Sequence, residues 1–177
     1  MLQDNIMKKS FVLLFVFLNI LPGVYASDTK IVKPSDLPEI EEVEKIINNK
    51  GTIEGVVFTI YESDESSLEE IMPRLLYYVS IIRQKHKIIP IAVVSHGDEI
   101  LSLTTENKEL YPIVHTDLIK LVKSYDVDFH ICGSFARLND LDSADFPDYI
   151  DVVPFGPTQI SDYLALDFHR IDLETSD

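Results

Sequence analysis

Four short apolar runs alternate with segments of helical periodicity along most of the chain. The runs are Gly55–Tyr61, Ile88–His96, Val127–Cys132 and Ile150–Gly156. Each is nearly continuous in apolar residues, which is typical of strands buried on both faces of a sheet. Asp167–Leu173 follows as a fifth segment and predicts a final strand at a sheet edge.

Apolar residues at helical spacing fill the intervals between these runs. The longest pattern begins at Leu68 and continues to Ile82, with acidic residues in its first turn. Shorter patterns predict helices over 39–51 and 115–127, the latter with Ile119 on its inner face. Another short helix begins near Ser134, and a last one over 157–166 has Thr158 as its cap.

Alternating strands and helices indicate parallel pairing through right-handed crossovers. We therefore expect an α/β fold, a three-layer sandwich around a mainly parallel sheet of about five strands. In such sheets chemistry occurs beyond the carboxyl ends of the strands. That rule selects Glu62–Ser66, His96–Glu99 and the segment from Cys132 to Ala136.

The first residues have the pattern of a secretory signal peptide. Lys8 and Lys9 precede the apolar run Phe11–Leu21, and small residues lead to a cleavage site after Ala26. The run is too short for a stable membrane span. We expect a signal peptide over 1–26, a tether and short helix over 27–50, an α/β domain over 51–177, and a periplasmic or secreted location.

Charge and motifs remove several classes of function. The formal net charge of -15 argues against nucleic-acid binding, because such a surface repels phosphates. The sequence contains no glycine-rich dinucleotide or phosphate loop and no zinc-protease motif. No cofactor is expected.

Cys132 is the only cysteine, so an exported chain cannot form an internal disulfide. The thiol is a buried small hydrophobe, half of a bridge to another chain, or a functional group. Gly133 permits a sharp turn after the strand, and Ser134 can cap the next helix. A thiol at a helix start is stabilised as thiolate, which is the reactive form.

His130 lies two residues before Cys132 and therefore on the same face of the strand. His96, followed by Gly97, ends the neighbouring run. Either histidine could assist the thiol, or each could have a purely structural hydrogen bond. Together with Cys132 they could also bind zinc or copper, although no metal-ligand spacing is present. His115 and His169 are expected at the surface.

The order of these segments resembles the DsrE/DsrF-like family of sulfur-relay proteins, especially its exported members. The resemblance rests on "IAVVSHGDEI", "LIKLVKSYDVDFHICGSFA" and "IDVVPFGPTQISDYLALDF" and covers roughly 55–173. It implies a compact α/β sandwich that assembles into homo-oligomers.

For the thiol, the resemblance implies that Cys132 carries sulfur as a persulfide between a donor and an acceptor protein thiol. Amides of Gly133 and Ser134 would stabilise the anion, and His96 or His130 would move the proton. Two alternatives stay open: a non-enzymatic oligomeric binding module with a structural cysteine, and a metal-binding protein.

Overall fold

The computed structural model describes residues 36–176. The predicted signal peptide over 1–26 and the first part of the tether, 27–35, lie outside the described residues. Within 36–176, no helix has the length and apolar character needed to cross a bilayer.

A five-stranded, all-parallel sheet forms the centre of the protein. The strands are β1 (Val56–Ile60), β2 (Ile91–Ser95), β3 (Asp128–Cys132), β4 (Asp151–Val153) and β5 (His169–Leu173). They lie in the order β4-β3-β2-β1-β5, which places β4 and β5 at the two edges. The predicted α/β architecture with about five strands is confirmed, including the final edge strand.

Five α-helices within the described residues connect and cover the strands. They are α1 (Ile40–Ile47), α2 (Leu68–Lys85), α3 (Pro112–Ile119), α4 (Gly133–Leu138) and α5 (Gly156–Ala165). Helix α3 begins earlier than predicted because Pro112 stands in its first turn, where proline needs no hydrogen-bond donor. A π-helical turn, Lys120–Ser124, continues it towards β3.

The predicted cap of the last helix is wrong. Helix α5 begins at Gly156, so Thr158 lies inside its first turn, and Phe155 occupies the capping position without a side-chain hydrogen bond. Pro157 near the helix start supplies the favourable backbone angle instead.

The two faces of the sheet are covered unequally. The large hydrophobic core lies on one face and includes residues from helices α1 to α4. On the other face a small cluster joins Val57, Ala92 and Val94 to Ile160 of α5, with Tyr163 and Phe168 at its margin. Residues 36–176 thus form a three-layer sandwich in which α1 to α4 cover one face of the sheet and α5 covers the other.

Two expectations about the third helix are wrong. His115 is buried rather than exposed, and its Nε2 atom lies 3.0 Å from the carbonyl oxygen of Ser102. Ile119 is exposed at the surface, whereas Leu118 beside it is fully buried. The inner face of α3 carries Val114, His115 and Leu118, and Ile119 follows one residue later, about 100° further round the helix.

Helix α1 packs on α2 through a buried polar contact as well as through its apolar face. The Tyr78 hydroxyl donates a hydrogen bond of 2.7 Å to Glu39 Oε2, and Arg74 Nη1 lies 3.8 Å from Glu39 Oε1. Burial is the main cause that raises the pKa of Tyr78, and the neighbouring Glu39 carboxylate raises it further. The hydroxyl therefore keeps the proton that it donates. Arg74 also donates a hydrogen bond to the carbonyl oxygen of Glu174, which holds the segment after β5 against α2.

We expect Tyr78→Phe to destabilise the protein by about 1–3 kcal/mol, because the buried Glu39 carboxylate loses a donor without gaining a replacement. Urea unfolding followed by circular dichroism measures the change. Tyr77→Phe in the same turn is the matched control and should change stability by less than about 0.5 kcal/mol. Equal effects of the two substitutions would contradict this role of the Glu39 contact.

Candidate functional site

The carboxyl ends of β1 and β2 are joined by one buried carboxylate, Glu99. Its Oε1 atom accepts hydrogen bonds from Ser95 Oγ at 2.7 Å and from the amides of His96 and Gly97, both at 2.9 Å. Its Oε2 atom accepts the Glu62 amide at 2.8 Å. Glu99 therefore fixes the predicted loop His96–Glu99 against the end of β1.

Burial raises the pKa of Glu99, and the hydrogen bonds from Gly97, Ser95 and Glu62 act in the opposite direction. The sequence places this residue in the loop after the second strand but indicates no role for it. The available signal was a carboxylate two residues after Gly97.

Gly97 has a structural explanation in the same loop. A side chain at this position would overlap the backbone of Glu62 and the Glu99 carboxylate. The glycine therefore allows the two strand ends to approach each other closely.

Cys132 ends β3 and immediately precedes α4. Its side chain is buried, with 2% of the residue exposed. The Sγ atom lies 3.0 Å from Ser134 Oγ and accepts a hydrogen bond from the Gly156 amide at 3.3 Å. The thiol thus sits between the first residues of two helices, α4 and α5.

Opposing effects act on the pKa of Cys132. Burial, the largest single effect, raises it, whereas the Ser134 hydroxyl and the amides of Gly156, Phe135 and Ser134 lower it. Together the donors prevail, and the pKa lies below the ordinary value of a cysteine. The site therefore favours thiolate, as expected for a thiol at a helix start.

Gly133 allows β3 to pack closely against β4 at this end of the sheet, and its amide is not among the donors that lower the pKa of Cys132. A Cβ atom at this position would lie 2.8 Å from the carbonyl oxygen of Val153 on the neighbouring strand. The amides that lower the pKa of Cys132 belong to Gly156, Phe135 and Ser134, so the predicted role of the Gly133 amide falls to these residues.

Gly156 brings the last helix against the ends of β2 and β3. A Cβ atom on this residue would lie 2.9 Å from His96 Cβ and 3.2 Å from Cys132 Cβ. Only glycine lets α5 approach closely enough for its amide to reach the sulfur. Sequence analysis did not select Gly156 as a site residue, although its position after the fourth strand is visible there.

His96 lies beside the thiol but its ring faces elsewhere. It stacks on Tyr61 with ring centroids 4.9 Å apart. Burial is the main cause that lowers the pKa of His96, and the charge of Arg170 lowers it further. The charge of Asp172 acts to raise it. The imidazole is therefore neutral near pH 7, and it lies half-buried against Tyr61.

His130 also has partners of its own. Its Nε2 atom lies 2.7 Å from the Tyr163 hydroxyl of α5, and Nδ1 lies 3.7 Å from Asp151 Oδ2. Burial lowers the pKa of His130, although Asp151 and Asp128 act to raise it. The hydrogen bond to Tyr163 holds α5 on the sheet.

The two histidines and Cys132 share one end of one sheet face, but they do not converge on a common point. His96 contacts Tyr61, His130 contacts Tyr163, and Cys132 contacts Ser134. Within 36–176, no group of three or more His, Cys, Asp or Glu residues is arranged to hold a metal ion. The site is a thiol held by hydroxyl and amide donors.

We expect Gly156→Ala to displace α5, because its Cβ atom cannot fit between His96 and Cys132. The predicted loss of stability is about 1–3 kcal/mol, and the pKa of Cys132 should rise because its amide donor moves away. Urea unfolding and the pH dependence of thiol alkylation measure the two effects.

Gly51→Ala is the matched control for Gly156→Ala. Its added Cβ atom would meet only the end of the flexible Asn49 side chain, at 3.2 Å. If Gly156→Ala left both stability and the thiol pKa unchanged, the close approach of α5 would not control the site.

Comparison with known proteins agrees with this fold. No protein-family model and no curated protein matches the chain significantly. A solved structure of a protein of unknown function from Methanobacterium thermoautotrophicum aligns with a TM-score of 0.54 and 23% identity, over 67% of this chain and 97% of that one. Another protein of unknown function, from Bacteroides thetaiotaomicron, aligns with a TM-score of 0.49 and 11% identity, over 66% and 94%. The similarity to the archaeal structure supports the α/β fold.

Proposed function

We propose that this chain is an exported DsrE-like protein whose single thiol, Cys132, accepts sulfur from a persulfide and passes it to another thiol. The observation that carries the proposal is the environment of Sγ. The Ser134 hydroxyl and the Gly156 amide both contact the sulfur at the start of α4 and α5. Such donors stabilise an anion, and the thiolate is the nucleophile in sulfur exchange.

The reaction is an exchange without net oxidation. The Cys132 thiolate attacks the terminal sulfur of a donor persulfide, R–S–SH. The S–S bond of the donor breaks, and its electron pair leaves with the donor thiolate while Cys132 becomes a persulfide. An acceptor thiolate then attacks the terminal sulfur of that persulfide, and Cys132 leaves again as thiolate.

Donor and acceptor must both be other molecules, because the chain has one cysteine. Protein thiols are the partners in this proposal, and a homo-oligomer is the assembly. Neither proposed exchange step requires a cofactor or a metal.

Access to the sulfur requires a movement of the chain. Cys132 is 2% exposed, and the first turn of α5 contacts it through Gly156. Phe155, at the same turn, is 51% exposed and has no side-chain capping bond. Displacement of this turn would open a route to Sγ while β3 stays in place.

A second candidate function is a non-enzymatic oligomeric binding module in which Cys132 is structural. The burial of the thiol favours it, since free cysteines are commonly buried as small hydrophobes. The two candidates differ in whether the folded protein reacts at Cys132 before it unfolds.

We expect alkylation of Cys132 to follow a pKa below that of a free cysteine, because the Ser134 hydroxyl and nearby amides stabilise the thiolate. Ser134→Ala should raise that pKa because the sulfur loses a donor, and the exposed control Ser143→Ala should not. Alkylation rates from pH 5 to 10 should be compared with the unfolding rate. A rate equal to unfolding at every pH would favour the structural cysteine.

Treatment with a low-molecular-weight persulfide should add one sulfur atom to the folded protein. The adduct should be absent in Cys132→Ser and should disappear when an excess of acceptor thiol is added. Intact-protein mass spectrometry under non-reducing conditions measures both steps. An adduct that forms only in denaturant would contradict the relay.

A further inference from the structure

We infer that the free edge of β5 pairs antiparallel with β5 of a second copy, so that Arg170 lies opposite Asp172 of that copy. The inference identifies a surface and a partner, and it is independent of chemistry at Cys132. It rests on the hydrogen-bonding direction of β5 and on the order of its charged side chains.

Only alternate residues of β5 form backbone hydrogen bonds with β1. The His169 amide donates to the Gly55 carbonyl at 2.9 Å, and the strand pairs in parallel from His169 to Leu173. Because alternate residues of a strand point their backbone groups to opposite sides, Arg170 and Asp172 point theirs away from β1. Within 36–176 no strand pairs with this outer side.

The side chains on this edge are complementary to themselves. Arg170 and Asp172 lie on the same face of the sheet, where Nε and Oδ1 are 2.6 Å apart. Their side chains are 43% and 54% exposed. A two-fold axis through Ile171 places each Arg170 opposite the other copy's Asp172, and each such pair can exchange two backbone hydrogen bonds.

The orientation follows from charge. Opposite charges at facing positions stabilise a strand pair, and like charges destabilise it. A parallel pairing at equal register would place Arg170 near Arg170 and Asp172 near Asp172. Within one copy Arg170 already pairs with Asp172, which also accepts a hydrogen bond from the Thr59 hydroxyl. The antiparallel arrangement joins two such pairs with opposite charges facing each other, which matters for a chain of net charge -15 whose copies repel each other.

A groove lies beside this edge of the sheet. A groove of about 300 Å³ runs between α1 and β5 and is lined by Lys45, Ile46 and Ile171 among others. Charged residues on a free edge can also serve to prevent pairing. The experiment below distinguishes that protective role from self-association.

Amide hydrogen exchange of the purified protein, followed by NMR across a dilution series, tests the pairing directly. Exchange at Arg170 and Asp172 should slow by about tenfold or more as concentration rises, in step with a doubling of mass in sedimentation. The amides of His169, Ile171 and Leu173 should stay protected at every concentration because they face β1. Protection of Arg170 and Asp172 in a monomer would overturn the proposal, since another part of the same chain would then cover the edge.

Charge reversal provides the second test. Arg170→Asp places two acidic residues opposite each other and should weaken association at least tenfold. Adding Asp172→Arg to the same variant restores opposite charges and should restore the dimer. Lys87→Asp, an exposed residue outside β5, is the control with the same change of net charge. Protection at Ile171 verifies that β5 stays folded in each variant, and a dimer unaffected by Arg170→Asp would refute this interface.

Discussion

The close approach of α5 to the ends of β2 and β3 is the constraint on which the candidate site depends. Gly156 makes it possible, because a side chain there would meet both His96 and Cys132. The approach places an amide on the Cys132 sulfur and covers the second face of the sheet with one helix. The lack of a Cβ atom at Gly156 therefore allows both the packing of α5 on the sheet and the hydrogen bond that lowers the pKa of Cys132.

Backbone amides supply most of the hydrogen bonds to Glu99 and Cys132 at this end of the sheet. The Glu99 carboxylate accepts hydrogen bonds from three amides and one hydroxyl, which hold the ends of β1 and β2 together. Cys132 is held in a similar way by amides and by Ser134. Amides are fixed by the fold, so they stabilise charge without the entropy cost of ordering long side chains.

Unequal covering of the sheet explains where the protein exposes its functional surfaces. The face under α1 to α4 is a closed hydrophobic core, whereas the face under α5 carries the thiol, both histidines, and the Arg170–Asp172 pair. The thiol and the Arg170–Asp172 pair therefore lie on the same face of the sheet, although the proposed strand pairing takes place at the β5 edge. The proposed sulfur exchange and the proposed strand pairing use different residues, and each can fail without the other.

The sequence by itself determined the strands, their parallel pairing and the position of Cys132 at a strand end, because continuous apolar runs and helical periodicity are local patterns. The order of the strands in the sheet came only from the structure. The sequence did not determine the caps of α5, the burial of His115, or the roles of Glu99 and Gly156. Those depend on contacts between residues distant in the chain, such as Gly156 with Cys132 and Glu99 with Glu62. Only the tertiary structure decided that His96 and His130 face Tyr61 and Tyr163 instead of the thiol. The alternation of residues along a strand predicts on which face of the sheet a side chain lies. The packing of neighbouring elements decides which residue that side chain contacts.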